Sequence, residues 1–281
     1  MGAPIARRLL ERYSVSISDI DMARRDDVPA GTWADSTRQL ATASDVFITI
    51  LPGPVELRAC MAEALPSLRR GALWLDLTSG DPVVTRELAA DASHRGVQTV
   101  SAPMGGSVRE ATAGELIFYA SGADDAVQRA WPILETVARA DGLRRAGTRA
   151  EDGQVVKLLA NALWFANAVL ASEAMLVGQG LGIAVDDLHG LLRESAGGSR
   201  FLDEHLHALL GGDYLESFGI DRVVEELDTV GSMSRAAGVT TPMLDSSAQL
   251  HRVALDRFGP VLGELLAVKL LETDAGRQLR A

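Results

Sequence analysis

A single cysteine, Cys60, stands in 281 residues. That excludes an internal disulfide and any zinc cluster built from several thiolates. Two histidines, His205 and His207, lie two apart, where a helix turns them to different faces, and no third ligand follows at a recognisable spacing. No metal is expected. No apolar run reaches the roughly 18 to 20 residues that cross a bilayer, and the N-terminus lacks the basic-then-apolar layout of a signal peptide. The expectation is a cytoplasmic protein with no membrane partner. Basic residues are outnumbered, 27 Lys and Arg against 38 Asp and Glu, for a formal charge of -11. Such a balance does not favour the basic face that phosphate backbones require, so no nucleic-acid partner is expected and small-molecule chemistry is favoured. Neither a Walker loop nor a G-x-S-x-G elbow is present.

Lysine is scarce in its own right: only Lys157 and Lys269 stand among those 27 basic residues. Arginine keeps its proton in a protein and lysine can release it, so proton transfer is one reason for a lysine to persist, and chance survival is the other.

What is present is a chain with 47% hydrophobic and 23% charged residues, the make-up of a globular protein long enough for two cores. The first half alternates short apolar runs with amphipathic stretches. This predicts strands over 15–19, 46–51, 73–76, 97–100 and 116–120, with helices over 5–12, 56–64, 82–92 and 123–137, as in βαβ units building a parallel sheet. Phe118 is expected in the sheet core and Tyr119 on the strand surface. From about residue 151 the pattern turns helical. The segment Asp152–Gly180 has no proline and is rich in Ala, Leu and Val, which predicts one long helix joining a domain over 1–150 to an all-helical domain over 151–281.

The opening Met1-Gly2-Ala3-Pro4 reads as a helix start with no strand before it. A dinucleotide-binding domain bridges its first strand and helix with G-x-G-x-x-G, and here only Gly2 is available, as the third glycine. Asp19, about 17 residues later at the end of the strand over 15–19, falls where such a domain places the acid that binds the adenine ribose. A natural N-terminal helix on an unrelated fold, and a solvent-facing aspartate, are the competing explanations. The expected fold is a Rossmann-like α/β domain lacking its first strand. In the order 3-2-1-4-5-6 that strand is central, and each buried group left without a partner costs about 1–3 kcal/mol. The expectation is therefore a start lying upstream or a compromised fold, with weak or absent NAD binding by this form.

Four stretches in order then resemble one family. They are Met1-Gly2-Ala3-Pro4; Asp76-Leu77-Thr78-Ser79-Gly80-Asp81-Pro82, similar to D-x-S-T-x-x-P; Ser101-Ala102-Pro103-Met104-Gly105-Gly106-Ser107 with Ala113-Gly114, similar to D-A-P-V-S-G-G and its A-x-x-G-x-L continuation; and Gly153-Gln154-Val155-Val156-Lys157-Leu158-Leu159-Ala160-Asn161, similar to G-x-x-x-K-x-x-x-N. The chain resembles the β-hydroxyacid dehydrogenases, the family of 3-hydroxyisobutyrate dehydrogenase and tartronate semialdehyde reductase. The resemblance implies a second domain of the 6-phosphogluconate dehydrogenase-like type and a nicotinamide-dependent reaction on a small hydroxy- or oxo-compound. It assigns Lys157 as proton donor and acceptor and Asn161, four residues on and so on the same helix face, as a substrate contact. It places Leu51 and Pro52 against the dinucleotide, Ser79 near the nicotinamide ribose, and Gly105, Gly106 and Ser107 at the substrate. Asp19 repels a 2′-phosphate, so NAD is expected, with NADP open because Arg24 and Arg25 lie nearby. Members form dimers or tetramers through the helical domain, and an oligomer is expected here.

Two departures bear on the substrate. The family's loop serine falls on Gly105, with a serine displaced to Ser107. Its F-x6-K-D-L reads here as Phe218 followed by Glu225-Glu226-Leu227. An acid at Glu225 in place of a lysine disfavours a carboxylate and favours an uncharged or amine-bearing substrate; a Glu225 turned to solvent is the alternative. Two other functions stay open: a catalytically silent binding relative, and an imine reductase on the same scaffold, against which the retained Lys157 counts.

Overall fold

The structure is a computed structural model and describes residues 1–280. It divides into two compact units, Met1–Lys157 and Leu158–Ala281. The division falls inside a continuous helix, seven residues beyond the boundary expected from composition.

The first unit starts with α1 (Gly2–Leu9), the short strands β1 (Ser16–Ile17) and β2 (Thr32–Trp33), and α2 (Thr37–Ala43). The strands β3 (Val46–Thr49), β4 (Leu73–Asp76) and β5 (Gln98–Ser101) follow, separated by α3 (Pro54–Ala64) and α4 (Pro82–His94). Then come β6 (Met104–Gly105), α5 (Val108–Ala113), β7 (Leu116–Gly122), α6 (Asp124–Glu135) and β8 (Ala138–Gly147). Every residue of β4 is buried, as in a strand covered by helices on both faces. Leu73 and Leu75 join Ile5, Leu9, Val100, Phe118 and Leu134 in one core. Trp74, pointing the other way, joins Phe47, Leu57, Met61 and Leu88.

The strands depart from expectation in direction, number and length. The sheet is mixed rather than parallel: β3, β4 and β5 are parallel, β7 runs antiparallel to both β5 and β6, and β8 is parallel to β7. A parallel return needs a long crossover that lays a helix over the sheet. The segment after β5 holds instead the two-residue β6 and the six-residue α5, and the chain turns back on itself. Strand β8 escapes the sequence because its Arg and Asp residues leave little apolar alternation, as is common on a charged edge. Strands β1 and β2 pair in a separate two-stranded sheet. Strand β1 is two residues long against the five expected, because the Asp19 carboxylate accepts the Asp21 N–H at 2.9 Å and draws the chain into a turn.

Helix α7 (Asp152–Gly180) begins in the first unit and continues into the second, where α8 (Val185–Arg193), α9 (Leu206–Leu210), α10 (Ile220–Ala237), α11 (Pro242–Phe258) and α12 (Leu266–Asp274) follow. No strand is assigned beyond Gly147 among the described residues. Leu158, Ala162, Phe165 and Val169 of α7 pack with Val223, Leu227 and Ala254 of α10 and α11. With 29 residues α7 is long and apolar enough to cross a membrane by length and composition, contrary to expectation; the core helix of a globular unit meets the same criterion.

Candidate functional site

The carboxyl ends of β3, β4 and β5 are tied together by polar side chains. Asp76, fully buried, accepts the Thr49 hydroxyl at 2.7 Å and the Thr78 N–H at 3.1 Å. Thr49 in turn accepts the Trp74 indole N–H at 3.0 Å. Burial raises the Asp76 pKa to about 6, although the hydroxyl and amide donors oppose it. Thr78 then holds the neighbouring loop, since its hydroxyl accepts the Leu51 N–H at 3.2 Å. Leu51 and Ser79 are half-buried and Pro52 is exposed, leaving an apolar wall and a hydroxyl where open parallel sheets bind nucleotides. These residues fit a nicotinamide dinucleotide.

The first turn of α7 closes on these strand ends. Gly153 donates its N–H to the Ser121 hydroxyl at 2.9 Å, and a Cβ at 153 would run into the carbonyl oxygen of Tyr119. Only glycine allows so close an approach. Gln154 is fully buried; its amide oxygen accepts the Gly80 N–H at 3.0 Å, and its amide nitrogen donates to the Thr78 carbonyl at 2.7 Å and the Ser101 hydroxyl at 3.1 Å. Lys157 follows one turn along α7 and Asn161 one turn further, both half-buried. In the second unit Asn161 donates its amide N–H to Glu226 at 2.6 Å, and Trp164 donates its indole N–H to Glu264 at 3.0 Å.

The other expected site residues are placed as follows. Gly2 opens α1, and a Cβ there would meet nothing within 4 Å; no neighbour within the chain demands a glycine. Asp19 is exposed and engaged with Asp21. Arg24 pairs with Asp21 and Asp27, and Arg25 with Asp35. Gly105 lies in β6, with room for a side chain, since its Cβ would meet only Ile117 at 3.8 Å. Gly106 has φ +120°. Ser107 caps α5: its hydroxyl donates to Glu110 at 2.5 Å and accepts the Arg109 N–H at 3.2 Å. That donation holds the Glu110 carboxyl down at about 2. Glu225 is exposed and pairs with Arg222 at 2.8 Å, and it is Glu226 that reaches Asn161. The residues that sequence reasoning missed are therefore Thr78, Gln154 and Glu226. Thr78 stood one place before the expected Ser79 and Glu226 one place after Glu225; nothing in the sequence pointed to Gln154. No group of three or more His, Cys, Asp or Glu among the described residues could hold a metal ion.

Residues 1–149 match the family profile described as the NAD binding domain of 6-phosphogluconate dehydrogenase. Residues 152–271 match that described as NAD-binding of NADP-dependent 3-hydroxyisobutyrate dehydrogenase. The chain belongs to the β-hydroxyacid dehydrogenase family. Like the family, it is a NAD(P)-dependent oxidoreductase acting on a small hydroxy- or oxo-compound. It is 28% identical over 268 residues to the NAD-dependent L-serine dehydrogenase of Pseudomonas aeruginosa, covering 91% of this chain and 89% of that protein. The fold is shared with a Mycobacterium tuberculosis 3-hydroxyisobutyrate dehydrogenase studied with L-serine, at a TM-score of 0.88 and 23% identity over 96% of this chain and 95% of that one. A Streptomyces aurantiacus imine reductase shares it more distantly, at a TM-score of 0.60 and 17% identity, over 96% of this chain and 95% of that one. Within the β-hydroxyacid dehydrogenases, Gln154, which joins the sheet ends to the start of α7 in this chain, stands at a position that the motif G-x-x-x-K-x-x-x-N leaves unspecified.

Proposed function

We propose that this β-hydroxyacid dehydrogenase oxidises an amine-bearing hydroxy acid with NAD, and that Lys157 carries the proton. The observation behind this reading is the placement of Lys157 and Asn161 one turn apart on a helix whose first turn is bonded to the strand ends beside Leu51 and Ser79. A dinucleotide held beside Leu51, Pro52 and Ser79 would supply the hydride acceptor for oxidation and the hydride donor for reduction. Lys157 takes the hydroxyl proton in oxidation and gives it back to the carbonyl oxygen in reduction. Asn161 binds the same substrate, and Glu226 sets the orientation of its amide, because an amide oxygen turned toward that carboxylate would be repelled.

The substrate class follows from charge. Glu226 and Glu264 bond successive turns of α7 beyond Lys157, a setting that suits an ammonium group better than a second carboxylate. A β-hydroxy α-amino acid meets that requirement, and L-serine, named in two of the similar proteins, is the first to test. Exposed Asp19 disfavours a 2′-phosphate, and Arg24 and Arg25 are occupied by nearby acids. Steady-state rates should show kcat/KM for L-serine on the order of 10-fold above that for a 3-hydroxy acid lacking the amine, with NAD preferred to NADP. Faster turnover of the amine-free acid would refute the substrate class, and preference for NADP would refute the cofactor choice.

A homodimer or tetramer belongs to the same proposal. Val156, Leu163, Leu170 and Val177 recur every seven residues along α7 and are 37%, 59%, 47% and 63% exposed, an apolar stripe of the kind that pairs helices between subunits. Sedimentation at micromolar concentration should give at least a dimer. A monomer throughout that range would contradict it.

A further inference from the structure

Gln154 is fully buried, and neither the acid-base chemistry nor the substrate contacts give it a task. Its amide makes three hydrogen bonds, to Thr78, Gly80 and Ser101, which lie at the ends of β4 and β5. Thr78 and Gly80 flank Ser79, and Thr78 also holds Leu51. Gln154 therefore bonds both sides of the loop expected to meet the nicotinamide ribose. It sits three residues before Lys157 on the same helix, about 4.5 Å along the axis at 1.5 Å per residue.

The chemistry leaves the amide one orientation. Its oxygen must face the Gly80 N–H and its nitrogen the Thr78 carbonyl, since the reverse sets donor against donor and acceptor against acceptor. The neighbouring Gly153–Ser121 bond anchors the same turn to β7. The start of α7 is thus tied to three strand ends by side chains that leave little freedom to slide or rotate.

We infer that Gln154 is a positioning residue, fixing the Lys157 amine relative to the Thr78–Gly80 loop and so the proton donor relative to the hydride's seat. The inference rests on the reading of Lys157 as proton carrier. A misplacement near 1 Å in such a constellation costs on the order of 10²-fold in rate.

The two-lysine composition permits a direct test. In protein labelled with 13C at lysine Cε, only Lys157 and Lys269 contribute resonances, and Lys269→Arg assigns them. Gln154→Met keeps the side chain's length and removes its hydrogen bonds. It is expected to displace the Lys157 resonance and its pH titration while leaving Lys269 in place, and to lower kcat 10- to 100-fold with KM for NAD within about threefold. Ser101→Ala, which removes one bond only, should move the same resonance less and lower kcat two- to fivefold; it serves if Gln154→Met does not fold. An unmoved Lys157 resonance with kcat within twofold of wild type, whatever the melting temperature, would overturn the inference and leave Gln154 a packing residue. A displaced resonance with unchanged kcat would uphold the positioning and count against Lys157 as proton carrier, a result that normal turnover in Lys157→Ala would match.

Discussion

Replacing Lys157 with alanine in the active enzyme is expected to lower turnover by about 10²–10⁴-fold, the range for loss of a general acid or base, with little change in cofactor affinity. Lys157→Arg should recover little of this. Arginine keeps the positive charge and the hydrogen-bond donors, but it does not exchange its proton near neutral pH. The pair of variants separates charge from proton transfer. The second lysine offers a contrast: Lys269 lies over the rings of Tyr214 and Phe258, at 5.2 and 5.4 Å from their centroids, so its charge is held by aromatic faces and Lys269→Arg should leave turnover close to normal. Near-normal turnover in Lys157→Ala on the best substrate would remove Lys157 from the mechanism.

Asp76→Asn should change the pH dependence of stability more than any other single replacement considered. Burial holds the Asp76 pKa at about 6 in the folded protein, against 3.8 for an aspartate in water. A group whose pKa is raised on folding favours the folded state fully below its unfolded value, and that advantage disappears as pH rises through the folded value. The relevant window runs from about pH 4 to pH 6. Above it the buried carboxylate is charged and costs the wild type about 3 kcal/mol relative to low pH, at roughly 1.4 kcal/mol per unit. Asparagine retains an oxygen for the Thr49 hydroxyl and the Thr78 N–H and never ionises. In urea titrations Asp76→Asn should gain on the wild type by up to about 3 kcal/mol between pH 4 and pH 8. The same pH dependence in both proteins would show that Asp76 does not titrate in this window.

Much of this architecture is legible in the sequence where the signal is local and long. Helix α7 and strand β4 have the bounds expected from their patterns, because one carries sustained helical periodicity and the other an uninterrupted apolar run. The K-x-x-x-N spacing puts Lys157 and Asn161 on one face for the same reason. What escaped depends on contacts distant in the chain. Gln154 bonds residues more than 50 positions away, so no spacing rule reveals it. The direction of β7 is set by how the chain returns after β5, and the Arg-rich edge β8 has no apolar period to read. The choice between Glu225 and Glu226 is decided by the roughly 100° that one residue turns on a helix. Helix α10 presents Glu226, at the Asp of the family's K-D-L, to Asn161, and Glu225, at its Lys, pairs with Arg222.

Asp19 shows a local rule defeated by another local rule. Its distance from Gly2 suits a ribose-binding acid, and what local turn chemistry overrides is only the length of the strand: Asp19 and Asp21 both bond backbone N–H groups two residues on, and the strand ends at Ile17.

The central claim, hydride transfer between a nicotinamide and a small hydroxy acid, is tested most directly by isotope. L-serine carrying deuterium on its hydroxymethyl carbon is incubated with the enzyme and NAD, and the reduced cofactor is recovered for mass spectrometry. Reduced cofactor one mass unit heavier is expected, formed in step with absorbance at 340 nm and lost in Lys157→Ala. Absence of label in the cofactor, with turnover of serine continuing, would contradict it.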